Sequence, residues 1–437
     1  MKARAGKDHR IEPHHLTSRL YAFVILGATG FTGRGVCRYL QSRLSGSTRW
    51  AIAGRDQATL DAVVGELCLD TSPETLVLET SPSNINSIVA QADILINLAG
   101  PYSRIGDEVV AACVSAGTHY VDICGELDLI ANWVTLHHDR ARERKIRVIP
   151  AAGFESLMFD LSTRASIEAL GDMSGEGDLA VSVLFSLVGV KPGQMGSLLS
   201  AGTLATFIDG LERRVPLDLL FDPFCLTPGG KDPSMQEANG INLSARYDTD
   251  YRVWCAPLIP GPFINPAIAH RTNHLLSQSG EGYGSRFSYQ EAMNVSALVP
   301  LPWIQTAAAF SLVALTRQYL DAISDYRDDK LAAIVNMLKR KASTGRKPLE
   351  SELDEISYQL DLEAVTSNGR HTARLRVRGM GHPGYRSTAN IIGEAILTLV
   401  DGSELSNEFG VVTPAVAFGT QFLYGLEEAG ISTRVIE

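Results

Sequence analysis

The sequence predicts an α/β protein in which a Rossmann-type, doubly wound parallel sheet is joined to a second α+β domain that contains a mixed sheet. Three observations predict this fold. Short apolar runs alternate with segments of helical spacing six times between residues 21 and 153. A glycine-rich turn joins the first apolar run to the first helix. After Gly153 the predicted strands become longer and more mixed in composition.

The six strands of the first domain follow one another at short intervals. They are predicted in the segments YAFVILGA, WAIAGRD, ETLVLE, ADILINLAGPY, HYVDIC and IRVIPAAG. Continuous apolar runs of this length are typical of strands buried on both faces of a parallel sheet. Helices are predicted between them, and Gly117 provides the C-terminal cap of the helix after the fourth strand. Right-handed crossovers then bring the carboxyl ends of the strands to one edge, where ligands bind.

The remainder of the chain changes its rhythm. Strands are predicted at 178–190 and 371–380, and a charge-rich helical segment at 318–352. The predicted domains are a disordered tail (1–20), a Rossmann domain (21–153), a second α+β domain (154–385) and C-terminal helices that pack back on the Rossmann domain (386–437).

Composition narrows the class of protein. A chain of 437 residues favours two domains, and 45% apolar with 20% charged residues is typical of soluble globular proteins. A net charge of −10 without a long basic block argues against a nucleic-acid partner. The six cysteines lack C-x-x-C spacing, which favours reduced thiols in a cytoplasmic protein and gives no metal site.

One uncharged stretch, residues 292–316, is long enough to span a bilayer. Pro300 and Pro302 interrupt its first half, so a membrane span is disfavoured. Four interpretations stay open. The stretch could be a buried helix, an interface of a homodimer, a wall of an apolar substrate tunnel or a peripheral contact with lipid.

Three glycines mark the turn between the first strand and the first helix. Gly27, Gly30 and Gly33 stand three residues apart. In a dinucleotide site the first glycine permits the tight turn, the second lets the backbone approach the pyrophosphate, and the third lets helix and strand pack closely. The free N–H groups at the start of the helix then face the phosphates. The sequence therefore predicts a dinucleotide cofactor.

The end of the second strand indicates which dinucleotide binds. NAD sites place an acidic residue there, whereas this strand runs into Gly54 and Arg55. A guanidinium can hold a 2′-phosphate through two parallel hydrogen bonds, so we expect NADPH, with help from Thr32 or Arg34. The alternative is that Arg55 is a surface residue paired with Asp56.

The next strand ends carry candidate catalytic groups. After the fourth strand, Tyr102 could donate a proton or bind a carbonyl, and Arg104 could hold an anionic group. The fifth and sixth strand ends bring further polar side chains to the same edge, namely Asp122, Glu126, Glu155 and Ser156. Of these, Asp122 is expected to bond loop N–H groups rather than to act in catalysis.

Several motifs resemble a known family. GATGFTG, AGRD, NLAGPY, YVDICGE and PAAGFES are similar to the saccharopine dehydrogenase-like oxidoreductases. Later segments, SAGTLAT, YGSRFSYQE, GHPGYRSTANIIGEAILTLV and GVVTPAVAFGT, resemble the branch of trans-acting enoyl reductases that serve polyketide synthases. The resemblance covers residues 21–437. It implies that NADPH reduces an α,β-unsaturated polyketide or fatty acyl thioester on an acyl carrier domain, with hydride going to the β-carbon and a proton to the α-carbon.

The resemblance also implies site residues. The implied cofactor contacts are Gly27, Thr29, Gly30, Phe31, Thr32, Gly33, Arg55, Ala99, Gly100, Pro101 and Gly125. Tyr102 and Arg104 stay the catalytic candidates, and the identity of the proton donor does not carry over. Glu155 and Leu157 depart from the family pattern, so substrate contacts there are expected to differ.

Two other functions stay open at this point. The chain could be a saccharopine dehydrogenase-like protein that acts on an imine or carbonyl substrate, although no cluster of arginines suits a substrate with several carboxylates. It could also be a sensor or lipid-associated protein that binds NADP without turnover. Turnover of an enoyl thioester separates these functions from the first.

Overall fold

The protein is described by a computed structural model. It describes residues 19–67, 72–78, 82–171, 178–191, 194, 200–228, 233–258, 263–299, 301–324, 328–344, 350–403 and 405–436. Most of the predicted tail at 1–20 lies outside these residues. Arg19, at the described end of that tail, donates hydrogen bonds to the carbonyl oxygens of Ala92 and Ala116, at 2.5 and 2.7 Å.

The strands and helices alternate through the first part of the chain. The strands are β1 (Tyr21–Leu26), β2 (Trp50–Gly54), β3 (Glu74–Val77), β4 (Ala92–Asn97), β5 (His119–Asp122), β6 (Arg147–Ile149), β7 (Leu179–Val188), β8 (Arg246–Asp248), β9 (Val253–Ala256), β10 (Ser288–Asn294), β11 (Ser357–Thr366), β12 (Thr372–Met380), β13 (Gly410–Val411) and β14 (Ile431–Ile436). The helices are α1 (Phe31–Gln41), α2 (Gln57–Glu66), α3 (Pro82–Ala90), α4 (Gly106–Ala116), α5 (Leu127–Glu143), α6 (Phe154–Glu168), α7 (Ala201–Arg213), α8 (Leu217–Leu220), α9 (Pro233–Ala238), α10 (Ile264–Gln278), α11 (Val295–Leu298), α12 (Pro302–Ser324), α13 (Asp328–Thr344), α14 (Glu350–Glu355), α15 (Thr388–Asp401) and α16 (Pro414–Gly425).

The first sheet is parallel, with the order β13-β6-β5-β4-β1-β2-β3. Every residue of β1 and β4 is buried, as continuous apolar strands between two helical layers require. The strand order reverses between β1 and β4, and the crevice at that point is where doubly wound sheets bind ligands. The predicted Rossmann-type sheet is confirmed.

The second sheet is mixed, as predicted, with the order β14-β12-β11-β7-β10-β9-β8. β7 and β10 are parallel, and the other neighbouring strands are antiparallel. Helix α6 packs on β7, β11 and β12 and so connects this sheet to the first one. An aromatic cluster fills that contact, in which Phe154 meets Phe159, Phe185 and Tyr358 with ring centroids 4.5–6.1 Å apart.

The end of the chain contributes to both sheets. Helix α15 packs on α1, where a Cβ on Gly393 would lie 2.2 Å from Cδ1 of Tyr39, so glycine permits this close approach. Strand β13 extends the first sheet beside β6, and β14 pairs with β12 in the second sheet. The boundaries drawn at 153/154 and 385/386 stay predictions.

The uncharged stretch at 292–316 divides into the end of β10, the turn α11 and the first part of α12; Pro300 lies outside the described residues. Helix α12 is not a buried helix throughout. Its Trp303 side chain is 78% exposed, and Phe310 and Leu315 are exposed as well. Among the described residues, the search for helices with the length and hydropathy of a membrane span finds none.

Candidate functional site

The glycine turn forms a cradle of backbone at the switch point. Gly27 has a φ of +86°, and a Cβ there would lie 2.7 Å from the amide nitrogen of Ala99. A Cβ on Gly33 would lie 2.3 Å from the carbonyl oxygen of Gly27. Gly30 precedes α1, and no side chain caps its N–H groups. These features fit a pyrophosphate bound by the start of α1.

The arginine expected at the 2′-phosphate lies at the surface. Arg55 follows the last residue of β2 and is exposed, and it forms no hydrogen bond or ion pair with another described residue. Asp56 does not pair with it, because its carboxylate accepts a 2.8 Å bond from the Thr59 amide and caps α2. Arg34 instead forms an ion pair with Glu66. Arg55 is therefore left available for a phosphate.

A cavity of about 400 Å³ opens beside the cradle. The segments that follow β4, β5 and β6 line this cavity, and residues of α1, α6 and α7 line it as well. The predicted residues that line it are Gly30, Phe31, Thr32, Gly33, Gly100, Tyr102 and Gly125. The predicted residues that do not line it are Gly27, Thr29, Arg55, Ala99, Pro101 and Arg104. Arg104 is exposed and does not line the cavity, and its catalytic role stays a prediction.

Much of the cavity lining is apolar. Seven apolar side chains come from α7, α8, α10, α12 and the segments beside them, namely Phe207, Leu211, Val215, Leu220, Phe263, Ile264 and Leu320. We call these seven residues the apolar arm. No described residue of the uncharged stretch at 292–316 lines this cavity, so the interpretation of that stretch as a tunnel wall does not hold for it. Helix α12 contributes through Leu320, just beyond the stretch, and the sequence did not assign α7 or α8 to the site.

Helix α7 is tied to the first domain across the cavity. Ser103 donates a 2.9 Å hydrogen bond to Asp209 of α7. Arg213, at the end of α7, pairs with both Asp209 and Asp128. Of the lysines and arginines in the described part of the chain, only Arg213 lines the cavity, and two carboxylates already neutralise it.

Tyr102 forms a wall of the cavity with its hydroxyl group engaged. The hydroxyl donates a 2.9 Å bond to the Asn97 carbonyl oxygen and accepts a 3.2 Å bond from the Ile123 amide. Burial, with a smaller effect from nearby Asp122, raises the pKa of Tyr102 well above its ordinary value. The proposed catalytic role of Tyr102 stays a prediction, and this geometry gives its hydroxyl a clear structural role.

Two buried acids at the cavity, Asp122 and Glu126, accept hydrogen bonds from backbone amides. The Asp122 carboxylate accepts bonds from the Cys124 and Ala151 amides, at 2.9 and 3.1 Å, as the sequence led us to expect. Burial raises the pKa of Asp122 to about 7. Glu126 accepts bonds of 3.1 Å from both the Tyr102 and the Gly125 amides. Both acids therefore fix the loops that follow β4, β5 and β6.

Glu155 is placed differently. It lies in the first turn of α6 and faces the cavity. Its Oε1 accepts a 3.3 Å hydrogen bond from the Thr203 hydroxyl, which lies 2.8 Å from the Ser200 hydroxyl. Glu155 is exposed, but nearby protein atoms desolvate its carboxyl group and raise its pKa, and the Thr203 bond opposes this shift. Ser200 and Thr203 lie in the SAGTLAT motif, but the motif did not predict their approach to Glu155, because that approach depends on how α7 packs.

Comparisons with known proteins agree with this geometry. The family model of the saccharopine dehydrogenase NADP-binding domain matches residues 23–149. A Mycobacterium tuberculosis protein, provisionally named as a trans-acting enoyl reductase, is 31% identical over 437 residues, which cover 96% of this chain and 98% of the relative. The trans-acting enoyl reductase of Mycobacterium bovis is 30% identical over 434 residues, with 94% and 97% covered.

A solved structure shows the same fold. Saccharopine dehydrogenase (L-Glu forming) from Saccharomyces cerevisiae superposes with a TM-score of 0.52 at 12% identity, covering 95% of this chain and 99% of that one. The prediction of NADPH as the cofactor is confirmed by the family match, and that of an NADP-dependent oxidoreductase by the match and the relatives together.

Proposed function

Because the chain belongs to the saccharopine dehydrogenase-like oxidoreductases, in the trans-acting enoyl reductase branch, we propose that it reduces an α,β-unsaturated acyl thioester carried on an acyl carrier domain of a polyketide synthase. One observation carries this proposal. A single cavity is lined both by residues of the glycine cradle and by the apolar arm. A hydride donor held at one end would thus lie beside space suited to an acyl chain.

Different residues of the chain would bind the cofactor and the substrate. The cradle of Gly27, Gly30 and Gly33 would hold the pyrophosphate, and Arg55 would hold the 2′-phosphate. NADPH, when bound, supplies the hydride. Leu98 and Gly100 line the cavity next to the cradle, where small or apolar side chains leave room for a flat ring. The apolar arm would exclude water from the chain of the substrate.

The charge of the cavity supports an acyl substrate over an amino acid. A substrate with several carboxylates needs cationic anchors, and arginine is the usual choice. Arg213, the cation among the described residues lining the cavity, is already paired with Asp128 and Asp209. An uncharged chain needs no such anchor. The same cavity therefore argues against a saccharopine-like substrate.

Oxidation of NADPH by purified protein tests the proposal. We expect turnover with 2-enoyl thioesters, and a higher kcat/KM when the same chain is attached to an acyl carrier domain than to free pantetheine. Leu220→Phe narrows the apolar arm and should raise KM for long chains while leaving short chains nearly unchanged. Met337→Ala, an exposed side chain on α13 outside the cavity, is the matched control.

The alternatives predict different results. NADPH binding without oxidation, across a range of chain lengths, would favour a protein that senses NADP rather than uses it. Turnover of a small imine or carbonyl compound, with none of an enoyl thioester, would favour a different reductase. Either result would overturn the proposed substrate while leaving the cofactor assignment intact.

A further inference from the structure

Reduction of an enoyl thioester needs a proton as well as a hydride, and the cavity contains a limited choice of acids. Among the described residues, the carboxylic side chains that line it are Glu126, Asp128 and Glu155. Two of these are committed to other partners. Glu126 accepts backbone bonds from the Tyr102 and Gly125 amides, one on each carboxylate oxygen. Asp128 holds Arg213 with both of its oxygens.

The weaker acids that line the cavity among the described residues are Tyr102, Cys124 and Tyr385. The ring of Tyr385 packs against Phe31 and His382, and the other two groups are engaged in hydrogen bonds. The hydroxyl hydrogen of Tyr102 points to the Asn97 carbonyl oxygen, and its oxygen accepts from the Ile123 amide. The thiol of Cys124 is buried and lies 3.2 Å from Oε2 of Glu126. Neither group can reach a substrate without breaking these bonds, which hold the wall in place.

Resting on the function proposed above, we propose that Glu155 is the catalytic acid that delivers the proton to the α-carbon of the substrate. Its carboxyl group faces the cavity and has one hydrogen bond to another described side chain, that from the Thr203 hydroxyl at 3.3 Å. Oε2 has no described partner, so this oxygen is available to the substrate.

The protein around Glu155 shifts its carboxyl group toward the protonated form. The residue is exposed, but nearby protein atoms desolvate its carboxyl group and raise its pKa, and the bond from the Thr203 hydroxyl opposes this shift. The start of α6 favours the carboxylate, which would stabilise the group after it has lost its proton. A donor that is protonated before the reaction and stabilised afterwards is what general acid catalysis requires.

The step balances as follows. The hydride forms a C–H bond at the β-carbon, and the electron pair of the double bond moves toward the thioester carbonyl as an enolate. The O–H bond of Glu155 then breaks, a C–H bond forms at the α-carbon, and the carbonyl is restored. Glu155 is left as a carboxylate, which water reprotonates through the open side of the cavity.

The configuration of the product gives the sharpest test. With a 2-methyl-2-enoyl thioester, protonation makes the α-carbon a stereocentre, so a fixed donor yields one configuration and water yields a mixture. We expect Glu155→Gln to lower kcat by about 100-fold or more and to give mixed configuration. NADPH affinity, measured by calorimetry on the full chain, should stay unchanged, since Glu155 is outside the predicted cofactor contacts.

Two further variants make the test specific. Glu155→Asp keeps a carboxyl group and should slow the reaction while retaining one configuration. Glu143→Gln, an exposed residue at the end of α5, controls for removal of a glutamate elsewhere. If wild-type protein turns over and Glu155→Gln keeps either its rate or a single configuration, Glu155 is not the donor. If wild-type protein fails to turn over, the proposed function fails instead.

Discussion

Two parts of the cavity, the glycine cradle and the wall formed by Glu155, Ser200 and Thr203, are built in opposite ways. The cradle uses backbone from residues 27–33, which are adjacent in the chain, and each group it offers is an amide or an empty Cβ position. The wall uses side chains from Glu155, Ser200 and Thr203, with α7 held in place by Ser103 and Arg213. One region is local and made of backbone, and the other is assembled from distant side chains.

This difference in construction explains which of the two regions can accept amino-acid substitutions. A cofactor site made of backbone tolerates few substitutions, because an added methyl group meets atoms that cannot move. A wall made of side chains can change its residues while the fold stays the same, so substrates and proton donors can differ among proteins that share this sheet. Four predictions test the contrast, beginning with the largest expected effect.

Gly33→Ala should cost the most. The new Cβ would lie 2.3 Å from the Gly27 carbonyl oxygen and 2.6 Å from Cα of Ala28, both backbone atoms. We expect the free energy of unfolding to fall by about 3–4 kcal/mol and NADPH binding to be lost. Gly65→Ala on α2 is the control, because nothing lies within 4 Å of its Cβ position. A Gly33→Ala protein as stable as Gly65→Ala would show that the cradle is not closely packed.

Asp160→Asn tests, through pH, a buried side-chain contact on α6, the helix that also carries Glu155. Burial raises the pKa of Asp160 from 3.8 to about 7, and its carboxyl group accepts bonds from the Thr272 hydroxyl and the Ala415 amide. Between these pH values the folded state binds a proton that the unfolded state has lost, so this group makes stability fall as pH rises.

The asparagine variant has no such proton. Its oxygen can accept from the Ala415 amide while its NH2 group donates to the Thr272 hydroxyl oxygen, once that hydroxyl has turned. Its stability relative to wild type should therefore rise by about 2–3 kcal/mol between pH 4 and pH 7. Urea denaturation at a series of pH values measures this. Parallel curves for the two proteins would show that Asp160 does not titrate in this range.

Arg55→Ala tests the one part of the cofactor site that depends on a side chain. We expect NADPH binding to weaken by about 1.5–3 kcal/mol, the contribution of charge-assisted hydrogen bonds, while NADH binding changes little. Titration calorimetry with both cofactors measures the difference. An equal loss for NADPH and NADH would remove Arg55 from 2′-phosphate recognition.

Tyr102→Phe should have the smallest effect. Loss of the hydroxyl leaves the Ile123 amide and the Asn97 carbonyl without a partner, so stability should fall by about 1–2 kcal/mol. The kcat of the folded variant should stay near that of wild type, because the Tyr102 hydroxyl is already engaged in hydrogen bonds to backbone atoms. A large fall in kcat without a change in stability would restore the catalytic role predicted from the sequence.

The sequence predicted most of what depends on short range. Continuous apolar runs located β1, β2, β4 and β5 because a parallel strand buries both faces. The sequence did not predict β13, because a strand of two residues forms no recognisable pattern. It also did not predict that β14 joins the second sheet. It did not predict that Arg104 stays outside the cavity lining, because a position just after a strand does not fix the direction of a side chain.

What the sequence alone determined is therefore the alternating fold, the glycine cradle and the NADPH preference. The fold follows from local periodicity, the cradle from the absence of a Cβ, and the preference from Arg55 in place of an acidic residue after β2. Tertiary structure alone decided that α7 covers the cavity, that the apolar arm comes from α7 and α8 rather than from residues 295–315, and that Thr203 meets Glu155. These contacts join segments about 50 residues or more apart, and only the packing of whole elements brings such segments together.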